Sequence, residues 1–143
     1  WLTREMHSSG QLDQEKAVRL LTEQEWQLAS EASMDTEKGD HQISWDYLSA
    51  EYGLMAVGLG PKQENTRASN LDFSSCIWEW CLNQYEDFHN IDFDLEKTDR
   101  AVRGGSFLIG KVKSRERFRG SLHVFGRDVN IGFRVCIALA LCT

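Results

Sequence analysis

The sequence predicts a mixed α+β domain that is rich in loops, with short strands and one or two helices. The chain has 11 glycines and five tryptophans in 143 residues. Its clearest helix signal lies near the N-terminus, whereas strand-like apolar runs occur later in the chain. This mixture is typical of a domain in which short strands and a few helices share one core, rather than of a helical bundle.

The best local signal is a helix start at Thr22. Thr22 can cap the helix, and Glu25 follows at the spacing of a capping box. Leu21 before the cap and Trp26 after it are placed to form a hydrophobic staple. We therefore predict a helix that runs to about Glu31, in which Thr22 and Glu25 have a structural role.

The remaining elements are predicted from shorter patterns. Residues 1–6 are expected to end a helix, and the stretch 33–70 is expected to be largely irregular. Strands are expected at residues 76–80, with Trp78 and Trp80 on one face and buried in the core, and also at 55–57, 102–107 and 131–139.

The length and composition are those of one globular domain. Hydrophobic residues make up 41% and charged residues 27% of the chain. No apolar run approaches the roughly 20 residues of a membrane span, so none is predicted. Because the chain begins at Trp1 rather than at methionine, we expect that an upstream part of the domain, and any targeting segment, is missing.

Charge is distributed unevenly along the chain. Residues 100–143 contain nine basic and two acidic residues, which gives them a net charge of +7. Because the whole chain has a net charge of −6, the first 99 residues have a net charge of −13. Internal pairing between the two parts is the favoured interpretation. A basic face for an acidic partner is the alternative. Nucleic-acid binding through residues 111–119 is disfavoured, because the acidic remainder would repel phosphates.

The cysteines and histidines do not form a recognisable metal or catalytic motif. The four cysteines (Cys76, Cys81, Cys136 and Cys142) do not have zinc-site spacing, and the four histidines (His7, His41, His89 and His123) are scattered. Cys136 lies among apolar residues and is expected to be a small core residue. Reduced thiols are the favoured state, which predicts a cytoplasmic location.

Three blocks in the same order resemble the formylglycine-generating-enzyme, or sulfatase-modifying-factor, family. They are residues 19–26 (RLLTEQEW), residues 71–81 (LDFSSCIWEWC), and residues 103–107 (RGGSF) followed by 131–134 (IGFR). The resemblance implies a C-type-lectin-like fold, of which residues 1–143 would be the C-terminal part of a single domain. Within it, Arg103 and Arg134 are expected to be buried and paired.

The sequence departs from the catalytic members of that family. Those members place two copper-binding cysteines after the GGS segment, but residues 107–120 contain no cysteine, and Ile109 and Ser114 stand near the expected positions. Neither side chain supplies the soft thiolate that Cu(I) requires. We therefore predict no enzyme activity, no catalytic residues and no cofactor. Cys76 replaces an asparagine that helps to hold calcium in related proteins; Glu79 remains, so calcium is left open.

Residues 107–130 (FLIGKVKSRERFRGSLHVFGRDVN) are the predicted functional segment. They mix apolar, basic, small and aromatic residues with neither helical nor strand period. This pattern resembles the diversified stretch in the variable proteins of diversity-generating retroelements, which lies between RGGSW-like and IGFRV-like blocks near the C-terminus. Phe, Leu, Ile, Val, Gly, Ser, Arg, His and Asp are all reachable from the Asn codon AAC by changing adenines, as mutagenesis in that subgroup does.

The resemblance implies a non-catalytic scaffold that displays a changeable surface to a protein or other macromolecular ligand. Arg115, Phe118 and Arg119 are expected to belong to the scaffold. The alternatives are a degenerate non-catalytic family member and an enzyme of the wider family with an unrecognised site. The predicted ligand-binding residues are Phe107, Leu108, Ile109, Gly110, Lys111, Lys113, Gly120, Ser121, Leu122, His123, Val124, Phe125, Gly126, Arg127, Asp128 and Val129.

Overall fold

A computed structural model describes residues 1–35, 77–91, 99–106, 108 and 118–140. These residues form two α-helices and six β-strands, which confirms the α+β class. In chain order the elements are α1 (Leu2–Ser8), β1 (Lys16–Leu20), α2 (Glu23–Asp35), β2 (Trp78–Gln84), β3 (Asp99–Arg103), β4 (Arg119–His123), β5 (Ile131–Phe133) and β6 (Val135–Leu139).

The strands form two sheets. β1 and β6 pair antiparallel, with Val18 opposite Ile137. The second sheet has the order β4-β3-β2-β5, in which only the β2–β5 pair is parallel. The core lies between α2 and the sheets, and its buried cluster consists of Leu21, Trp26, Cys81 and Ala101, with Ala29 and Cys136 packed against it. Neither described helix is long and apolar enough to cross a membrane.

The predicted start of α2 is confirmed in detail. The backbone N–H of Thr22 donates to the Glu25 carboxylate at 2.8 Å, and the backbone N–H of Glu25 donates to the Thr22 hydroxyl at 3.2 Å. These reciprocal bonds satisfy donors that a helix N-terminus leaves free. Leu21 and Trp26 are both buried in the core cluster, as the staple predicts. The helix runs to Asp35, beyond the expected end.

The strand predictions need several corrections. β3 ends at Arg103 rather than at residue 107, because Gly104 and Gly105 take positive φ angles of 92° and 71° that turn the chain away. Residues 131–139 form two strands rather than one, and the break falls at Arg134. The strand expected at 55–57 lies outside the described residues.

Two strands were missed, and one was assigned the wrong buried face. β1 carried no predicted strand, and β4 lies inside the segment that was expected to have no strand period. In β2, Trp78 and Trp80 do share a face, but both are only half-buried; the buried face consists of Glu79, Cys81 and Asn83. The core therefore contains polar groups where the sequence pattern suggested tryptophan.

Candidate functional site

Glu23 is the centre of a buried charge cluster that holds β4 against the core. Its carboxylate is inaccessible to solvent and accepts bonds from Arg119 Nε at 2.8 Å and Arg119 Nη2 at 2.9 Å. Arg103 Nη1 lies 3.6 Å from the same carboxylate. Hydrogen bonding to Glu23 raises the pKa of Arg119, whereas burial lowers the pKa of Arg103. Arginine nevertheless remains charged, so the cluster is ionic.

The aromatic side chains beside this cluster complete the environment of its arginines. The Arg119 guanidinium lies 4.4 Å from the centre of the Tyr85 ring, and Arg103 lies 5.1 Å from the Trp26 ring. Cations are attracted to the faces of such rings, most strongly where water is excluded. The first residue of β4 is therefore fixed by charge, hydrogen bonds and stacking together.

Glu79 forms a second buried pair. Its Oε2 accepts from Trp26 Nε1 at 2.8 Å and from Arg134 Nε at 2.9 Å, and its Oε1 accepts from Arg134 Nη2 at 2.7 Å. Both carboxylate oxygens are thus engaged by nitrogen donors. Glu79 is therefore a buried ion-pair partner of Arg134 that also fixes the Trp26 ring.

The ion pairs of Glu23 and Glu79 bear on two predictions: that Arg103 and Arg134 are buried and paired, and that the basic and acidic parts of the chain pair internally. Arg103 is buried and Arg134 is nearly so, and both are paired as expected. Arg103, Arg119 and Arg134 of the basic C-terminal part meet Glu23 and Glu79 of the acidic part, so internal pairing accounts for part of the charge asymmetry. Arg119 also behaves as scaffold, whereas Arg115 lies outside the described residues.

The two described cysteines, Cys81 and Cys136, are free thiols. Cys81 is buried and Cys136 packs against the core, as predicted for Cys136. Burial raises the pKa of both thiols. Because the thiolate is the nucleophile and the metal-binding form, neither cysteine is set up for nucleophilic or metal chemistry at neutral pH. Among the described residues, no group of three or more His, Cys, Asp or Glu side chains could hold a metal ion.

The predicted binding residues divide into exposed and half-buried sets. Five of them lie outside the described residues: Phe107, Ile109, Gly110, Lys111 and Lys113. The exposed set includes Phe125 and Val129, which leave 73% and 70% of their surface accessible. Its other members are Leu108, Ser121, His123, Arg127 and Asp128, whereas Gly120, Leu122, Val124 and Gly126 are half-buried.

β4 separates its residues by face. A Cβ atom at Gly120 would lie 3.0 Å from Val102 Cγ2 and 3.4 Å from the Trp78 ring, so a side chain there requires the neighbours to move. Ser121 is exposed, and its hydroxyl donates to Asp99 Oδ2 at 2.7 Å across the β3–β4 pair. His123, directly opposite Asp99, is also exposed. Of these three positions in β4, Ser121 and His123 are open to a ligand and Gly120 is not.

A tight turn follows β4. The Gly126 N–H donates to the His123 carbonyl at 2.6 Å. A Cβ at Gly126 would lie 2.7 Å from Leu122 Cγ and 2.9 Å from the His123 carbonyl oxygen, the second of which is backbone. The turn therefore requires glycine at 126 while its neighbours Phe125 and Arg127 remain exposed.

The far end of the turn is held by Asn130. Its side-chain Nδ2 donates to Ser106 Oγ at 3.0 Å, and its main-chain carbonyl accepts from the Trp78 N–H at 2.8 Å. Ser106 is itself buried. The stretch from residue 120 to residue 129 is thus fixed at both ends, by Arg119 and by Asn130, and projects its exposed side chains between these two points.

Sequence reasoning missed the role of Glu23. The capping pattern drew attention to Thr22 and Glu25, whereas Glu23 is the residue that anchors the segment. Its only local signal is an acidic residue in the first helical turn between the core residues Leu21 and Trp26. Its partner Arg119 is 96 residues away in the chain, so no local pattern could have joined them.

The geometry defines a class of protein: an α+β domain whose buried arginine–carboxylate pairs hold an exposed, chemically mixed turn. The model of one family, the sulfatase-modifying factor enzyme 1-like domain, matches residues 1–139, and the chain belongs to this family. The resemblance carried by the three sequence blocks is thereby confirmed at the level of the family. Comparisons with curated proteins and with solved structures gave no match.

Proposed function

We propose that this chain is a non-catalytic, ligand-binding member of its family, in which residues 107–130 form a surface diversified by a retroelement on a C-type-lectin-like scaffold. The observation that carries the proposal is the turn at residues 124–129, in which Phe125, Arg127, Asp128 and Val129 are exposed. It combines apolar, basic and acidic side chains and is bounded by the buried contacts of Arg119 and Asn130. Rigid scaffolds that present variable loops are a common solution to recognition.

The absence of catalysis is supported by the donor chemistry of the chain. Residues 107–120 contain no cysteine, and the buried Cys81 has a raised pKa. Oxidation through a thiolate-bound copper ion therefore lacks its ligands. Glu79 is the carboxylate that remains in the block in which related proteins hold calcium, and here it accepts hydrogen bonds from Trp26 and Arg134.

The chemistry of the exposed side chains favours a protein or other macromolecular ligand. Phe125 and Val129 supply apolar anchors, and Leu108 supplies a third exposed apolar side chain. Arg127 and Asp128 carry opposite charges beside them. Apolar anchors surrounded by charged residues are the usual composition of a protein-binding patch, in which the charges give specificity more than affinity.

We propose further that Gly120 and Gly126 belong to the scaffold even though they lie within the segment. A side chain at either position meets atoms of the fold, most severely at Gly126. Leu122 and Val124 are half-buried, so the changeable and exposed set within the described residues is Leu108, Ser121, His123, Phe125, Arg127, Asp128 and Val129.

The direct test is to sequence this gene, with its flanking DNA, from many cells or close relatives and to map substitutions by codon. We expect substitutions to concentrate at residues 107–130, at adenines of a near-identical template repeat nearby. Codons 119, 120, 126 and 130 should change little, and codons 16–32 provide the internal control. Even substitution along the gene with no template repeat would refute diversification, leaving an undiversified non-catalytic member of the family.

Binding itself is tested separately by selecting ligands against the folded chain. Phe125→Ala should weaken a selected protein ligand, whereas Leu28→Ala, which removes an exposed apolar side chain from α2, should not. Affinity that falls steeply with salt would instead favour an interaction with nucleic acid.

A further inference from the structure

Charged residues of three neighbouring strands form one row across the four-stranded sheet. Glu79 of β2 lies directly opposite Arg103 of β3, and Arg103 lies directly opposite Arg119 of β4. Residues that lie directly opposite each other in an antiparallel pair direct their side chains to the same face of the sheet. Helix α2 contacts this face, because its residue Glu23 bonds to Arg119. The two buried pairs, Glu79–Arg134 and Glu23–Arg119, are therefore neighbours rather than separate sites.

Trp26 connects the Glu79 pair to Arg103. The Trp26 Nε1 donates to Glu79 Oε2 at 2.8 Å, and the same oxygen accepts from Arg134 Nε at 2.9 Å. The guanidinium of Arg103 lies over the Trp26 ring, 5.1 Å from its centre. Trp26 is inaccessible to solvent and Arg103 is buried, so both contacts are shielded from water. Hydrogen bonds and the attraction of cations to aromatic rings are strongest in such surroundings.

Arg103 continues the connection to Glu23. Its Nη1 lies 3.6 Å from Glu23 Oε1, and the same oxygen accepts from Arg119 Nε at 2.8 Å. Arg103 and Arg119 are like charges on directly opposite residues, which is unfavourable by itself. The Glu23 carboxylate offsets this repulsion, so the position of Arg103 affects Arg119 through the oxygen that they share. A series of contacts thus runs through six residues in the order Arg134, Glu79, Trp26, Arg103, Glu23 and Arg119.

We propose that Trp26 is a positioning residue that joins the two buried ion pairs into one cooperative unit. Its N–H bonds to Glu79 and its ring contacts Arg103, so a change at one pair alters the position of Trp26 and thereby affects the other pair. Arg119 and Arg134 lie on either side of residues 120–133 in the chain. The two ends of this stretch are therefore held at a spacing that the buried contacts set. This inference does not rest on the proposed function.

Nuclear magnetic resonance of the full chain measures this coupling. The Nε–H of Arg119 gives a signal in proton–nitrogen correlation spectra, which is assigned by its loss in Arg119→Lys. Arg134→Lys keeps the positive charge at the other pair but removes the Nε–H that bonds to Glu79. We expect the Arg119 signal to shift and its proton to exchange with water about twofold faster or more, which is the effect of the weakest couplings between members of one network.

Two variants separate coupling through Trp26 from general destabilisation. Trp26→Phe keeps an aromatic ring beside Arg103 but lacks the N–H, so in this background Arg134→Lys should no longer change the Arg119 signal. Arg100→Lys is the matched control, because Arg100 is also a buried arginine of β3. Arg100 lies three residues before Arg103 in the strand and therefore on the other face of the sheet. Its replacement should leave the Arg119 signal unchanged.

The reverse experiment decides the question if Arg134→Lys does not fold. A coupling free energy acts equally in both directions. Arg119→Lys should therefore shift the indole N–H signal of Trp26, which is assigned by its loss in Trp26→Phe. The proposal is overturned if a change at one pair leaves the signal from the other pair unchanged, if the effect persists in the Trp26→Phe background, or if Arg100→Lys has an effect of equal size.

Discussion

Replacing Glu23 with glutamine tests whether the buried charge cluster holds the fold together. The Glu23→Gln change keeps the volume of the side chain but removes the negative charge that neutralises Arg119 and Arg103. Removing one member of a buried ion pair costs about 3–5 kcal/mol, because it leaves the other charge buried and unpaired. Arg119 keeps 29% of its side chain exposed, so the lower end of the range, about 3 kcal/mol, is expected.

Urea unfolding followed by tryptophan fluorescence measures this loss. For a slope near 2 kcal/mol per molar urea, a loss of about 3 kcal/mol lowers the unfolding midpoint by about 1.5 M. The matched control is Asp13→Asn, which removes the carboxylate of the solvent-exposed Lys16–Asp13 pair and should leave the midpoint unchanged within error.

A double-mutant cycle then assigns the loss to the pair. Glu23→Gln combined with Arg119→Gln should be less destabilised than the sum of the two single changes, because the double variant no longer buries an unpaired Arg119. The reasoning is refuted if Glu23→Gln lowers the midpoint no more than Asp13→Asn does, or if the two single effects simply add.

Two further predictions concern the cap of α2 and the turn. Hydrogen bonds from Arg19 hold the pKa of Glu25 at about 2, below its ordinary value of 4.5, so its contribution to stability should be complete above pH 4.5 and lost as the pH falls towards 2. The difference in urea midpoint between the parent and Glu25→Gln should therefore shrink between pH 5 and pH 2; an unchanged difference would show that the charge of Glu25 contributes nothing. Gly126→Ala should lower the free energy of unfolding by about 1–3 kcal/mol, because the added Cβ meets Leu122 and the His123 carbonyl. Thermal denaturation measures the loss, and Arg127→Ala at the exposed neighbour is the control that should be nearly neutral. Equal effects of the two changes would contradict the steric argument.

The sequence predicted those parts of the fold that depend on neighbouring residues. The start of α2 followed from Thr22 and Glu25, because a capping box is complete within four positions. β1 and β4 were missed because their strand character depends on partners far along the chain: Arg19 pairs with Cys136 in one sheet, and Ala101 pairs with Ser121 in the other. Tertiary pairing of this kind overrides weak local propensity.

The candidate site shows the same division. The segment itself is predicted from its irregular composition between two family-like blocks, and that prediction stays a proposal. The division between its exposed and half-buried residues could not, because it depends on which face of β4 meets Val102 and Trp78. The anchoring role of Glu23 was equally hidden, since burial of a carboxylate is unfavourable in itself and only its pairing with Arg119 makes it tolerable.

The placement of the buried charges explains how this scaffold could tolerate change in the segment. A loop packed on an apolar core contributes to stability through the volumes of its own side chains, so altering them costs packing energy. Here residues 120–129 are held by the residues on either side of them, Arg119 on Glu23 and Asn130 on Ser106, while Phe125 and Val129 extend into solvent. Substituting those exposed side chains should therefore change what the surface binds at little cost to folding. The energetic separation of anchor from surface is the property that a diversified binding site requires.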